Sequence, residues 1–196
     1  MKTESHKKFK NFLGWMLVVL TPVLVYLILQ TPISTQKQMQ VEGVLSDRPI
    51  LLVFFGFVGC KSICPTALQT VAGAVNELSE KQQSSVQLLF VNLTENPPMD
   101  IQVYASSFHK NFYAHQADTK KPNHILQQFG VRVENPSGSK EVMEHSAHLY
   151  FLLEDGEDWN MRRVYTQSPF QKQKILRELK SLLEEKHERS TISLKL

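Results

Sequence analysis

Apolar and polar positions divide this chain into one long early apolar run and a series of shorter alternating segments. Phe12 to Leu29 reads F-L-G-W-M-L-V-V-L-T-P-V-L-V-Y-L-I-L and holds no charged side chain. As a helix, this run spans about 27 Å, the thickness of one bilayer core. Pro22 is tolerable in such a helix, and Trp15 and Tyr26 lie towards its ends, where amphipathic rings favour the interface. Residues 30–48 are polar and predict a linker. Ile50 to Phe57 is a continuous apolar run of strand length, as expected for a strand buried on both faces. Leu68, Val71, Ala72, Val75 and Leu78 recur at helical spacing and predict an amphipathic helix over Thr66–Glu80, with Pro65 in its first turn. Val86–Leu93 is a second buried strand. Met99–Phe108 and Pro122–Phe129 read as helices, the latter closed by Gly130, and Val131–Glu134 as a short strand. Ala147–Leu153 is a strong strand, Asp155-Gly156 a turn, and Met161–Tyr165 its hairpin partner. Pro169–Glu185 is a closing amphipathic helix, and the polar run from Lys186 reads as a frayed tail.

A parallel strand–helix–strand unit, a later antiparallel hairpin and a last helix form a thioredoxin-like order. The expected class is α/β: a central mixed sheet flanked by helices, preceded by one N-terminal transmembrane helix. The expected layout is a basic cytoplasmic N-terminus over 1–11, an anchor over 12–29, a linker over 30–48, a domain over 49–185 and a tail over 186–196.

Composition changes this picture little. The chain has 196 residues, 42% of them apolar, which allows one compact domain plus an anchor. The net charge of +3 is accounted for by Lys2, Lys7, Lys8 and Lys10 against Glu4, so the domain has no basic excess and nucleic-acid binding is not expected. Lysines ahead of the apolar run predict a cytoplasmic N-terminus with everything after Leu29 outside. No A-x-A cleavage site follows in Gln30-Thr31-Pro32-Ile33-Ser34, which favours an uncleaved anchor over a signal peptide. Residues 1–11 contain no Arg and do contain Glu4, unlike a mitochondrial presequence. The expected location is the bacterial inner membrane, single-pass, with the C-terminal domain in the periplasm.

The chain has two cysteines, Cys60 and Cys64. They fall where a buried strand passes into a helix N-terminus, whose free amides and dipole favour a thiolate; Lys61 is a further candidate to favour it. A structural bridge across so short a loop gains little. Iron–sulfur clusters and structural zinc both call for four ligands. Two thiolates with one imidazole suit Cu(I) and tolerate Cu(II). Among His6, His109, His115, His124, His145, His148 and His187, position favours His145, at a loop-to-strand junction, with His148 as a rival more suited to strand packing. His6 and His187 lie outside the domain, His109 and His124 at helix edges, and His115 in a loop segment.

The segment Phe55-Gly56-Phe57-Val58-Gly59-Cys60-Lys61-Ser62-Ile63-Cys64-Pro65-Thr66 resembles the F-G-[FY]-x-x-C-x-x-x-C-P-x motif of the Sco/SenC copper chaperones. Glu144-His145-Ser146-Ala147-His148-Leu149-Tyr150-Phe151-Leu152 is similar to that family's D-H-S-x-x-x-Y-L-[IL] segment. Tyr104-Ala105-Ser106-Ser107-Phe108 and Phe129-Gly130-Val131 fit as well. The resemblance implies one copper ion, Cu(I) or Cu(II), held by Cys60, Cys64 and His145. It also implies a role in assembling the binuclear copper centre of cytochrome c oxidase, with that oxidase's copper-receiving subunit as partner. Other periplasmic copper or thiol–disulfide proteins are further candidate partners. The chain departs from the family pattern in Lys61, Ser62 and Ile63, where an acidic residue is frequent. It departs again in Asn92-Leu93-Thr94-Glu95-Asn96-Pro97-Pro98 after the second strand, and in a short segment before Ile50 that implies a trimmed N-terminal hairpin.

The competing reading is a thiol–disulfide oxidoreductase that keeps target cysteines reduced, which needs the redox pair Cys60 and Cys64 but not His145. A peroxidase is disfavoured, because Phe57-Val58-Gly59 offers Cys60 no polar activating group.

Overall fold

The computed structural model describes residues 16–24, 33–39, 48–95, 97–118, 124–131, 147–156 and 158–193. Residues 16–24 form helix α1, with Met16, Leu17, Val18, Val19, Leu20, Val23 and Leu24 exposed. Among the described residues no helix is long and apolar enough to cross a membrane. The remainder of the predicted anchor, 12–15 and 25–29, lies outside them.

Among the described residues the sheet has six strands: β1 (Ile33–Met39), β2 (Ile50–Gly56), β3 (Val86–Asn92), β4 (Phe112–Gln116), β5 (Leu149–Asp155) and β6 (Asp158–Tyr165). Their order is β1-β6-β5-β2-β3-β4. β2 pairs parallel with β3 and antiparallel with β5, β3 pairs parallel with β4, and β5 pairs antiparallel with β6. The inner four strands, β6-β5-β2-β3, keep the thioredoxin-like order, and β1 and β4 extend it at the two edges. Every residue of β2 and β3 is buried, as their unbroken apolar runs require.

Alternation along β2 divides the core into two layers. Ile50, Leu52 and Phe54 face a cluster shared with helices α2 (Ile63–Asn76) and α6 (Lys172–Ser193), through Leu68, Val71, Ile175 and Leu179. Ala105 of α4 (Ile101–Ser106) joins the same layer. Leu51, Val53 and Phe55 face the opposite cluster, with Ile125, Leu126 and Phe129 of α5 (His124–Phe129) and with Tyr150, Leu152 and Trp159.

Several boundaries differ from expectation. Residues 33–39, read as linker, form β1, because the edge of β6 offers them ladder partners and an edge strand tolerates polar residues. The predicted loop around His115 is β4: its sequence F-Y-A-H-Q buries only Phe112, so no apolar run announces it. The second helix stops at Asn76, and Glu80 instead opens the short α3 (Glu80–Gln83). There Ser79 Oγ accepts from the Gln82 amide while the Gln82 side chain accepts from the Ser79 amide. The tail from Lys186 is not frayed to residue 193. It continues α6, tied to the β5–β6 hairpin by Lys186–Glu154 at 2.9 Å, Arg189–Asp155 at 3.5 Å and Arg162–Glu185. His187 is therefore helical. Of the predicted strand Val131–Glu134, Val131 is described and lies outside any strand; 132–134 are outside the described residues.

Candidate metal centre

β2 delivers the chain to the site and α2 carries it away. Between them the Cys60 amide donates to the Phe57 carbonyl at 3.3 Å, and Gly59 takes φ +101°, a conformation that suits a residue without Cβ. Cys64 sits in the first turn of α2, with Pro65 after it where no amide donor is needed. The Cys64 amide points at the Cys60 sulfur, 3.5 Å away. Both thiols are free.

The two sulfurs occupy different environments. Cys60 is half-buried, whereas Cys64 is fully buried. Burial raises the Cys60 thiol, but the Cys64 and Ser62 amides, the Cys64 thiol and the Ile63 amide outweigh it and hold Cys60 below the ordinary cysteine value. Amides of the first turn of α2 thus do the lowering; Lys61, the sequence candidate, is exposed. Burial pushes Cys64 up to about 12, the neighbouring Cys60 adding to the effect against the Phe57 backbone. Gly56 makes room for the buried sulfur. A Cβ there would stand 2.8 Å from Cys64 Sγ and 2.9 Å from Phe90 Cε2.

A buried polar hub supports this turn from below. Asn92, fully buried at the end of β3, accepts the Val58 amide at Oδ1 (3.0 Å). Its Nδ2 donates to Thr94 O (2.6 Å) and Gln116 Oε1 (2.7 Å), and the Leu93 amide donates to Gly56 O (2.8 Å). The ends of β2, β3 and β4 are thereby linked directly under the cysteine loop. Beside it, Tyr104 packs on Phe90 (ring centroids 5.4 Å) and Phe108 (5.2 Å). Burial pushes its hydroxyl up to about 12, with Cys64 and then Cys60 as the charged neighbours that add to this.

Two of the three sequence-predicted ligands therefore come together. His145 lies outside the described residues. Among the described residues no group of three or more His, Cys, Asp or Glu side chains could hold a metal ion. The described histidines have other surroundings. His109 is buried and its Nδ1 accepts the Asn111 amide at 3.0 Å, so it is held by the fold. His115 pairs with Val91 across β3–β4. His148 Nδ1 lies 3.3 Å from the Tyr150 hydroxyl; it stands just ahead of β5 (Leu149–Asp155) rather than within the strand, as the expected span Ala147–Leu153 had it. Sequence reasoning missed Asn92 as a support; an Asn closing the otherwise apolar V-Q-L-L-F-V-N run was the available signal.

A family model described as SCO1/SenC matches residues 34–184, most of the chain and both cysteines. This chain belongs to the SCO1/SenC family. An SCO2-like protein of Rickettsia prowazekii is 26% identical over 113 residues, covering 54% of each chain. The mitochondrial protein SCO1 of Saccharomyces cerevisiae is 24% identical over 112 residues, 54% of this chain and 38% of that one. The chain spans about half the length of the curated relatives it matches, and less in some. Apo Sco1 from Thermus thermophilus superposes with a TM-score of 0.58 at 23% identity, over 78% of this chain and 93% of that one. ScoI of Arabidopsis thaliana, solved with copper bound, gives 0.59 at 16% identity, over 79% and 98%. These likenesses establish that the fold is shared. The pair Cys60 and Cys64 occupies its β2–α2 junction.

Proposed function

We propose that this SCO1/SenC chain is a copper metallochaperone whose cargo is one copper ion, Cu(I) or Cu(II), held by Cys60, Cys64 and His145. The observation that carries the reading is the cysteine pair at the β2–α2 junction, one sulfur favoured as thiolate by first-turn amides and the other fully buried. Two sulfurs of this kind are soft donors, and an imidazole completes a set suited to copper. Copper bound to the Arabidopsis and yeast relatives supports the choice of metal. The recipient is the copper-receiving subunit of cytochrome c oxidase, and delivery proceeds by stepwise exchange of ligands. The exposed apolar side chains of α1 support an anchor over 12–29. That anchor would hold the domain on the periplasmic face of a bacterial inner membrane.

Copper loading of the reduced full chain tests this. The expected result is one copper per chain, lost in Cys60→Ala, Cys64→Ala and His145→Ala. Unchanged stoichiometry in His145→Ala would remove the imidazole from the ligand set. Copper would then rest on the sulfurs without His145, whereas no copper uptake by the wild-type chain would leave a bare dithiol, as the thiol–disulfide oxidoreductase reading requires.

A further inference from the structure

Gly56 ends β2, and nothing in its backbone calls for glycine. It pairs in register with Asn92 as an ordinary strand residue, and its φ is not positive. Glycine weakens a strand, so its presence there marks a close approach. A Cβ at this position would meet Cys64 Sγ at 2.8 Å, Phe90 Cε2 at 2.9 Å and Phe54 Cε1 at 3.3 Å. The first two are closer than packed atoms tolerate. Phe90 has little room to withdraw, since its ring is stacked on Phe54 (centroids 6.4 Å) and backed by Tyr104 (5.4 Å). The sulfur differs, because it stands on a single torsion in the first turn of α2. The Cys64 sulfur thus fills volume that a side chain of β2 would otherwise hold. It is fully buried there, while Cys60 is only half-buried.

We propose that Gly56 is a positioning residue that fixes which sulfur of the pair meets an incoming partner. By leaving a notch in the sheet it lets the Cys64 sulfur drop out of reach, and Cys60 remains the sulfur open to a ligand or thiol from solvent. A Cβ in the notch drives the Cys64 sulfur out on its one torsion. Both sulfurs then become reachable, and the order of engagement is lost. The role follows from space alone. It holds whether the pair carries copper, as proposed above, or exchanges disulfides, so its failure leaves either reading standing.

Gly56→Ala in the full chain tests it, in a Cys60→Ser background so that a single thiol reacts. Reduced protein is treated with N-ethylmaleimide and with a bulky maleimide, and the ratio of the bulky rate to the small one is read. The thiolate fraction is common to both reagents and cancels, so the ratio reports access. With Gly56 in place the ratio is expected to fall well below that of Cys60 in Cys64→Ser protein. Gly56→Ala is expected to raise it roughly tenfold or more, towards the Cys60 value. An unchanged ratio in folded protein would overturn the inference. So would an equal rise in Leu179→Ala, which opens a cavity in the same core layer from α6, since access would then come from general loosening. If Gly56→Ala does not fold, the double variant Gly56→Ala with Cys64→Ala decides. Removing the sulfur clears the nearest contact and is expected to restore a folded chain with a measurable Tm. No recovery would assign the notch to Phe90 and overturn the inference.

Discussion

Cys60 and Cys64 stand four positions apart, one in the loop and one in the first turn of α2, and the fold treats their protons in opposite ways. First-turn amides lower one thiol; burial pushes the other up to about 12. Nucleophilic reactivity follows the thiolate fraction and access, so the two should separate cleanly in an alkylation experiment. Brief treatment of the reduced chain with iodoacetamide near neutral pH is expected to label Cys60. Cys64 is expected to react roughly tenfold slower or more, its thiolate being the scarcer. Peptide mass spectrometry reads both sites, and equal labelling would contradict the asymmetry. The spacing of the pair and its place after a buried strand were legible in the sequence. The mechanism of the asymmetry was not: Lys61 is adjacent in the chain, but the amides of residues 62–64 do the work. Tyr104 was visible only within a family-like segment, because nothing in a lone tyrosine tells where its hydroxyl ends up.

At the level of elements, the cysteine turn depends on the ends of three strands meeting at Asn92. Replacing that side chain by Ala leaves the buried Val58 amide without its acceptor and takes the donor from Gln116 Oε1, while Gln116 Nε2 keeps its bonds to the Asn92, Thr94 and Ala117 carbonyls. An unsatisfied buried group costs about 1–3 kcal/mol. Asn92→Ala is therefore expected to lower stability by about 2 kcal/mol in urea unfolding and to speed hydrogen exchange at the Val58 amide. A change below about 0.5 kcal/mol, typical of an inert surface position, would show that the turn stands without it. The strands were read well where apolar runs are continuous, as in I-L-L-V-F-F-G. β1 and β4 escaped because edge strands need not be apolar; their existence is decided by a neighbour's open ladder, which no local pattern records. The end of α2 was overrun for a related reason, since the apolar spacing continues through Leu78 while Ser79 already caps α3.

Across the whole domain, the histidines set a pH dependence. Burial lowers His109, His115 and His148 from their usual value of 6.5, and Lys110 and Arg48 add to the effect at His109. A lowered value means the folded state prefers the neutral ring. The associated stability is present above 6.5 and is lost as pH falls through the lowered values. Tm is expected to be highest near neutrality and to fall towards about pH 5. His109→Gln should flatten that fall; a Tm that rises on acidification would reverse the sign. The parallel core, the hairpin and the closing helix were all legible, whereas the extent of α6 depends on charge pairs to β5 and β6 that only the assembled fold brings within reach. The full burial of Cys64 has a consequence for timing. A newcomer arriving from solvent meets the outer sulfur and cannot touch the inner one. On the proposed reading, a passenger held by both would be met from the Cys60 side alone, so the depth of a single side chain would set the side from which it is reached.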